Sequence, residues 1–237
     1  WYTTTGSSEV TVPESMPVPP AARSGDASVA GGALRRVPTM TAPEAKATAA
    51  LSDPNILDVH DVGTFEGVPY LVEELLEGES LRERIGRGAL PIHEAVGIAA
   101  QIAHGLAAAH GKGIVHRDLK SDNVFLGTAD DGSLLVTVLD YGIARAGPGI
   151  AQPDGGVPEA LTQHGMVVGT PAYMSPEQAR GELVDGRTDL YALGVILFEM
   201  LTGECPFRGE SSLAILGKLL TDKAPPMASV GRRRAPP

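Results

Sequence analysis

The sequence predicts an α+β fold in which a small sheet layer lies beside a larger, mostly helical lobe. Two stretches of strand character lie at 56–65 and 68–74, and two long helical stretches follow at 92–110 and 188–202. A few strands followed by mostly helices is the order of a segregated α+β domain, not of an alternating β-α-β sheet. With 43% hydrophobic residues in a chain of 237, there is enough apolar surface for a substantial core.

Each element has a local reason. Residues 1–43 are rich in Pro, Ser, Thr, Gly and Ala, and 11–20 holds four prolines, which remove donors and fix backbone angles. The expectation is a disordered or irregular N-terminal segment; the alternative is the remnant of a small sheet. Residues 44–51 are alanine-rich and favour a helix that Ser52-Asp53-Pro54-Asn55 ends. The strands at 56–65 and 68–74 join at Glu66-Gly67. After Gly78 the character changes to helix, short at 80–85 and long at 92–110. The long one has Val96, Ala99, Ile102, Ala103, Leu106 and Ala107 on one expected apolar side. Short strands are expected at 124–126 and 134–139, and 147–165 reads as a long loop with glycines and prolines. Residues 188–202 form a very apolar helix suited to the middle of a domain. Residues 211–220 are amphipathic, and 227–237 read as tail or linker.

Composition excludes several classes. A formal net charge of -10 disfavours a nucleic-acid partner, which needs a positive surface. The Arg232-Arg233-Arg234 run fits either a tail or a small phosphate- or membrane-facing patch. One cysteine, Cys205, gives no intrachain disulfide and no cysteine-based zinc cluster, which suggests a reducing cytoplasm. Residues 1–20 lack the basic start and apolar run of a signal peptide. The greasiest stretch, 190–201, contains Glu199 and is too short for a bilayer, so no membrane segment is expected within this chain.

The chemistry concentrates in His116-Arg117-Asp118-Leu119-Lys120-Ser121-Asp122-Asn123, followed by Asp140-Tyr141-Gly142 beyond a hydrophobic strand. A carboxylate such as Asp118 can orient a hydroxyl, and Lys120 can offset the charge of a phosphoryl group. Asn123 and Asp140 offer a neutral and a charged oxygen, a donor set that suits Mg²⁺. Alone, His-x-Asp fits a polar turn capped by its own side chains equally well. The full run and the downstream motifs together point to metal-assisted phosphoryl transfer.

These motifs resemble the eukaryotic-like serine/threonine protein kinases of bacteria. His116 to Asn123 is similar to the catalytic loop, and Asp140-Tyr141-Gly142 to the metal-binding triplet, with Tyr where Phe is usual. Gly169-Thr170-Pro171-Ala172-Tyr173-Met174-Ser175-Pro176-Glu177 resembles the end of the activation segment, with Ser175 in place of Ala. Asp189-Leu190-Tyr191-Ala192-Leu193-Gly194 resembles the start of the central helix, and Cys205-Pro206-Phe207 the turn after it. Tyr70-Leu71-Val72-Glu73-Glu74-Leu75-Leu76-Glu77-Gly78 resembles the strand and hinge that grip adenine.

The resemblance implies a protein-kinase-like two-lobe fold with a reduced N-lobe sheet, a partial kinase domain over 44–226, and ATP and Mg²⁺ as cofactors. It implies protein substrates with serine or threonine acceptors, a class that Thr170 and Lys120 fit. Asp118 and Lys120 would be catalytic, Asn123 and Asp140 would hold the metal, and backbone groups of Glu74 and Leu76 would bind adenine. Arg117 would meet a phosphate on Thr162, the expected regulatory site. Asp189 would hold the catalytic-loop backbone, and Glu177 would pair with an arginine further on. Glu44 has the spacing of the glutamate that pairs with a phosphate-binding lysine, though a carboxylate is also favoured in any first helical turn. A charge at Glu73, which guards the back of the adenine site, is a departure from the family pattern. His110 and His104 read as packing or surface residues.

Residues 1–43 contain neither G-x-G-x-x-G spacing nor a lysine, both of which the family carries on three strands ahead of Glu44. The chain thus reads as a kinase core trimmed at both ends. It is expected to be a weak or inactive protein serine/threonine kinase, with a non-catalytic kinase-like binding module as the alternative.

Overall fold

The computed structural model of the protein describes residues 32–36, 51–65, 68–141 and 171–230. The described strands form two three-stranded antiparallel sheets. Strands β1 (Gly32–Arg36), β2 (Val59–Phe65) and β3 (Val68–Glu74) form one, in the order β1-β3-β2. Strands β4 (Glu79–Ser80), β5 (Val124–Thr128) and β6 (Leu134–Val138) form the other, in sequence order. The helices are α1 (Leu81–Gly86), α2 (Ile92–Gly111), α3 (Pro176–Arg180), α4 (Arg187–Thr202) and α5 (Ser212–Thr221).

Strand β1 corrects the expectation that residues 1–43 are irregular throughout. Gly32 pairs with Glu74 and Arg36 with Tyr70, so β1 covers the open edge of β3. Backbone donors and acceptors on a strand edge need partners, and 32–36 is a proline-free stretch able to supply them. Pro38, which has no N–H, follows directly on this stretch and its Val37. The remaining expectations for 1–31 and for the helix at 44–51 lie outside the described residues, apart from Leu51.

The strand expected from residue 56 begins at Val59, because the chain before it serves the other sheet. Leu57 N donates to Val138 O and Val138 N to Asn55 O, at 3.0 and 2.9 Å. Buried Asn55 also donates from Nδ2 to Val136 O at 2.8 Å and to Gln101 Oε1 at 3.1 Å. Residues 55–57 therefore tie β6 and α2 together ahead of the first sheet's hairpin.

Helix α2 buries Ala95, Ile98, Ile102, Leu106 and Ala109. This face is rotated from the expected one: Val96 is 53% exposed, and Ala107 also faces solvent. Alanine on several sides leaves the periodicity broad, and close packing selects the face. A Cβ at Gly105 would lie 2.7 Å from Asn55 O, so only glycine lets the helix approach. Helix α4 packs on α2 and completes the main core with Ala192, Val195, Ile196 and Met200. At the entry to the second sheet, Gly78 has φ +149°, and a Cβ there would meet Leu126 O at 2.1 Å. No described helix is long and apolar enough to cross a membrane.

Candidate active site

The candidate site is a loop, residues 116–123, held between α4 and the start of β5. Asp189, in the first turn of α4, is 1% exposed and accepts three hydrogen bonds. His116 N reaches its Oδ2 and Arg117 N its Oδ1, both at 2.8 Å. His110 Nε2, at the end of α2, lies 2.7 Å from Oδ2 and must donate, since the carboxylate only accepts. The first bonds are local to the loop, and together they hold Arg117 at φ 66°, a conformation uncommon for a bulky side chain.

His116 is fully buried, and its ring closes the other side. Asp118 N donates to Nδ1 at 3.3 Å, so the ring hydrogen sits on Nε2 and is given to Leu139 O at 2.8 Å. The Tyr141 ring packs against it, centroids 4.8 Å apart and tilted by 55°. Burial, then the field of Asp189, raises the Tyr141 phenol above its ordinary value.

The chemistry-bearing groups follow from this frame. Lys120 Nζ donates to Asp118 Oδ2 at 2.9 Å, and the two side chains are 22% and 34% exposed. Asn123 Nδ2 donates to Asp118 O at 3.0 Å, which leaves the amide oxygen as its acceptor. Leu139 N donates to Asn123 O at 2.9 Å, and Asp140 follows at φ 66°. The Leu139–Asn123 bond thus brings the backbone before Asp140 alongside the segment that carries Asp118, Lys120 and Asn123. An amide oxygen and a carboxylate form a hard oxygen donor set, which fits Mg²⁺ better than softer metals.

The segment after the site is anchored to the same loop. Ser175 caps α3 in a reciprocal box with Gln178, at 3.3 Å for Gln178 N to Ser175 Oγ and 3.0 Å for Ser175 N to Gln178 Oε1. Gln178 Nε2 then donates to Arg117 O at 2.7 Å. The oxygen of Ser175 also accepts from Thr188 Oγ1 at 2.7 Å, a bond that alanine could not make.

Other expected residues are placed as follows. Glu74 is exposed, and its N–H is committed to Asp58 O at 3.0 Å. Leu76 packs against Leu57, Phe125 and Leu139 at the border of the two sheets. Glu73 is buried. Glu177 is exposed in the first turn of α3. Glu44, Thr162 and Thr170 lie outside the described residues. Sequence reasoning missed His110, set down as a packing or surface residue, and did not connect Arg82, Ser121, Tyr173 and Glu199. A carboxylate inside an apolar helix was the available signal for Glu199.

Comparison with known proteins gives the family. The protein kinase domain family matches residues 34–228. The serine/threonine-protein kinase pkn3 of Myxococcus xanthus is 42% identical over 186 residues, covering 77% of this chain and 33% of that protein. PknL of Mycobacterium tuberculosis is 40% identical over 188 residues, covering 79% and 44%. Among solved structures, the kinase domain of Mycobacterium tuberculosis PknI, a double mutant, aligns with TM-score 0.58 and 26% identity over 79% of this chain and 62% of that one. The fold and loop define a protein kinase domain. The chain belongs to the bacterial eukaryotic-like serine/threonine protein kinase family. It spans less than half the length of these two curated relatives.

Proposed function

We propose that this chain carries the reaction centre for transfer of the ATP γ-phosphoryl group to serine or threonine hydroxyls of protein substrates. The observation that carries the reading is the Asp118–Lys120 bond at 2.9 Å, on a loop whose Asn123 is tied through its carbonyl to Leu139, the residue before Asp140. Asp118 Oδ accepts the hydrogen bond of the incoming hydroxyl and aligns it for attack. Lys120, already neighbouring Asp118, offsets charge on the transferring group. Asn123 and Asp140 hold Mg²⁺, which when bound neutralises phosphate charge. Glu74 has its N–H in use, so its carbonyl is the group offered to adenine, with backbone of Leu76 beside it.

Arg117 Nε is buried with no hydrogen-bond partner among the described residues. A phosphate on Thr162 would satisfy it, which supports Thr162 as the regulatory site. A single cysteine suits a cytoplasmic setting.

The test is Mg-ATP affinity and phosphate incorporation into a serine- and threonine-containing protein, for the chain and for Asp118→Asn. The expected result is slow transfer by the chain, lost in Asp118→Asn with ATP affinity nearly unchanged. ATP binding without transfer in either protein would support a kinase-like binding module instead, a reading motivated by the lack of G-x-G-x-x-G spacing in residues 1–43.

A further inference from the structure

A second polar network, buried at Ser121, Tyr173 and Glu199, meets the other end of the loop from the one Asp189 holds. Ser121 follows Lys120 directly and opens the 3₁₀ turn Ser121–Asn123. Its side chain is 0% exposed, and its Oγ lies 3.0 Å from the Tyr173 hydroxyl. Tyr173 ends the short turn Pro171–Tyr173, 52 residues away in sequence. The Tyr173 hydroxyl is also 2.7 Å from Glu199 Oε2 on α4. Arg82, from α1, donates to Glu199 and to the Tyr173 hydroxyl, and reaches Asp122 Oδ2 at 3.1 Å.

Hydrogen bookkeeping gives the direction of every bond. Tyr173 has one hydroxyl hydrogen, and the Glu199 carboxylate can only accept it. Arg82 can only donate, so it takes one lone pair of the Tyr173 oxygen. Ser121 must therefore donate to the other lone pair. Ser121, Tyr173 and Glu199 are buried, so removing the Tyr173 hydroxyl leaves buried polar atoms unmet. The network also closes on the loop twice, through Ser121 and through its neighbour Asp122.

We propose that Ser121 is a positioning residue. Its hydroxyl, held by Tyr173, sets the turn that carries Lys120 and Asn123, so the loop is aligned only while the Pro171–Tyr173 turn is docked. The inference rests on the phosphoryl-transfer reading for its kinetic consequence, but not for its structural one. Lys120 and Asn123 flank Ser121, and a small loss of alignment at reacting groups is costly in rate. The hydroxyl itself touches no group assigned to adenine or to the phosphates, so its loss should change ATP affinity little beside its effect on rate.

The test uses Ser121→Ala, Tyr173→Phe, the double variant and Ser121→Thr in the full chain. Two readouts are taken: steady-state kinetics, and amide hydrogen exchange across residues 118–123. Ser121→Ala is expected to lower kcat roughly tenfold, with KM for Mg-ATP within about twofold of the parent. Exchange across 118–123 should speed up by a similar factor. Tyr173→Phe, which also removes the bonds to Glu199 and Arg82, should lower kcat at least as much, and the double variant should be no worse than Tyr173→Phe, because the bond to Ser121 is already lost in it. Ser121→Thr, which keeps the hydroxyl, should recover most of kcat. Losses that multiply in the double variant, a rise in KM without a fall in kcat, or unchanged exchange in Ser121→Ala would overturn the proposal. If the parent chain transfers no phosphate, the phosphoryl-transfer reading fails, and exchange alone decides whether Ser121 sets the loop.

Discussion

Replacing Asp189 with Asn tests the frame on which the whole site rests. The carboxylate accepts from His116 N, Arg117 N and His110 Nε2 at 2.7–2.8 Å while only 1% exposed. Asn has one acceptor oxygen. Its best orientation keeps that oxygen where Oδ2 stands, serving His116 N and His110, and turns the amide NH₂ toward Arg117 N. One charge-assisted bond is then lost, at about 1.5–3 kcal/mol, and a buried N–H faces a donor, at about 1–3 kcal/mol. Release of Arg117 from φ 66° returns part of this, since such a conformation costs about 1–3 kcal/mol. The net cost is about 3 kcal/mol, which for a chain of this size lowers Tm by roughly 6–12 °C. Calorimetry gives the Tm, and amide exchange at 116 and 117 reports the loop itself. Phosphate transfer should fall more than about tenfold, because Asp118 follows directly on the freed residue. A Tm within about 2 °C of the parent, with exchange at 116 and 117 unchanged, would refute the reasoning.

Two further outcomes follow from the same structure. Ser175→Ala should lower stability by about 1 kcal/mol through loss of the α3 cap, seen as a Tm lower by roughly 2–4 °C, although alanine is the usual residue at this position of the family pattern. The second concerns alkaline pH. Burial, then Glu199, pushes the Cys205 thiol from 9.0 up to about 11, and burial also raises the Tyr173 phenol. The folded state then holds protons that the unfolded state releases. Stability is full below about pH 9 and falls as pH rises toward about 11. Cys205→Ala should flatten that fall in a series of Tm measurements, and an unchanged slope would count against burial of the thiol as its cause.

What was legible in the sequence was what local spacing encodes. The order of residues 116–123 puts Asp118, Lys120 and Asn123 on one loop whatever surrounds it. Helices α2 and α4 were legible as long apolar stretches, although the buried side of α2 depended on Gly105 meeting Asn55, a contact no periodicity shows. Strand β1 was not legible. Gly32–Arg36 lacks a strand's alternation, and it is a strand because β3 offers an unpaired edge. Bonds across long separations were equally hidden: His110 to Asp189 spans 79 residues, and Arg82 to Glu199 spans 117.

The two buried carboxylates of α4 explain why an otherwise apolar helix keeps charge. Buried charges are costly unless hydrogen-bonded, and here each is satisfied by groups that fix the catalytic loop. Asp189 holds its beginning directly at His116 and Arg117. Glu199 holds its end through Tyr173 and Ser121, and through Arg82 and Asp122. At 1.5 Å per residue these anchors stand about 15 Å apart along the helix axis. A rigid helix packed in the core thus sets the distance between the two ends of the loop. Asp118 and Lys120 lie between those fixed points, which makes their geometry a property of the core rather than of the loop. It also predicts that single substitutions at either anchor loosen the loop as a whole, while substitutions on the exposed side of α4, such as Leu190→Ala at 55% exposure, leave it unmoved.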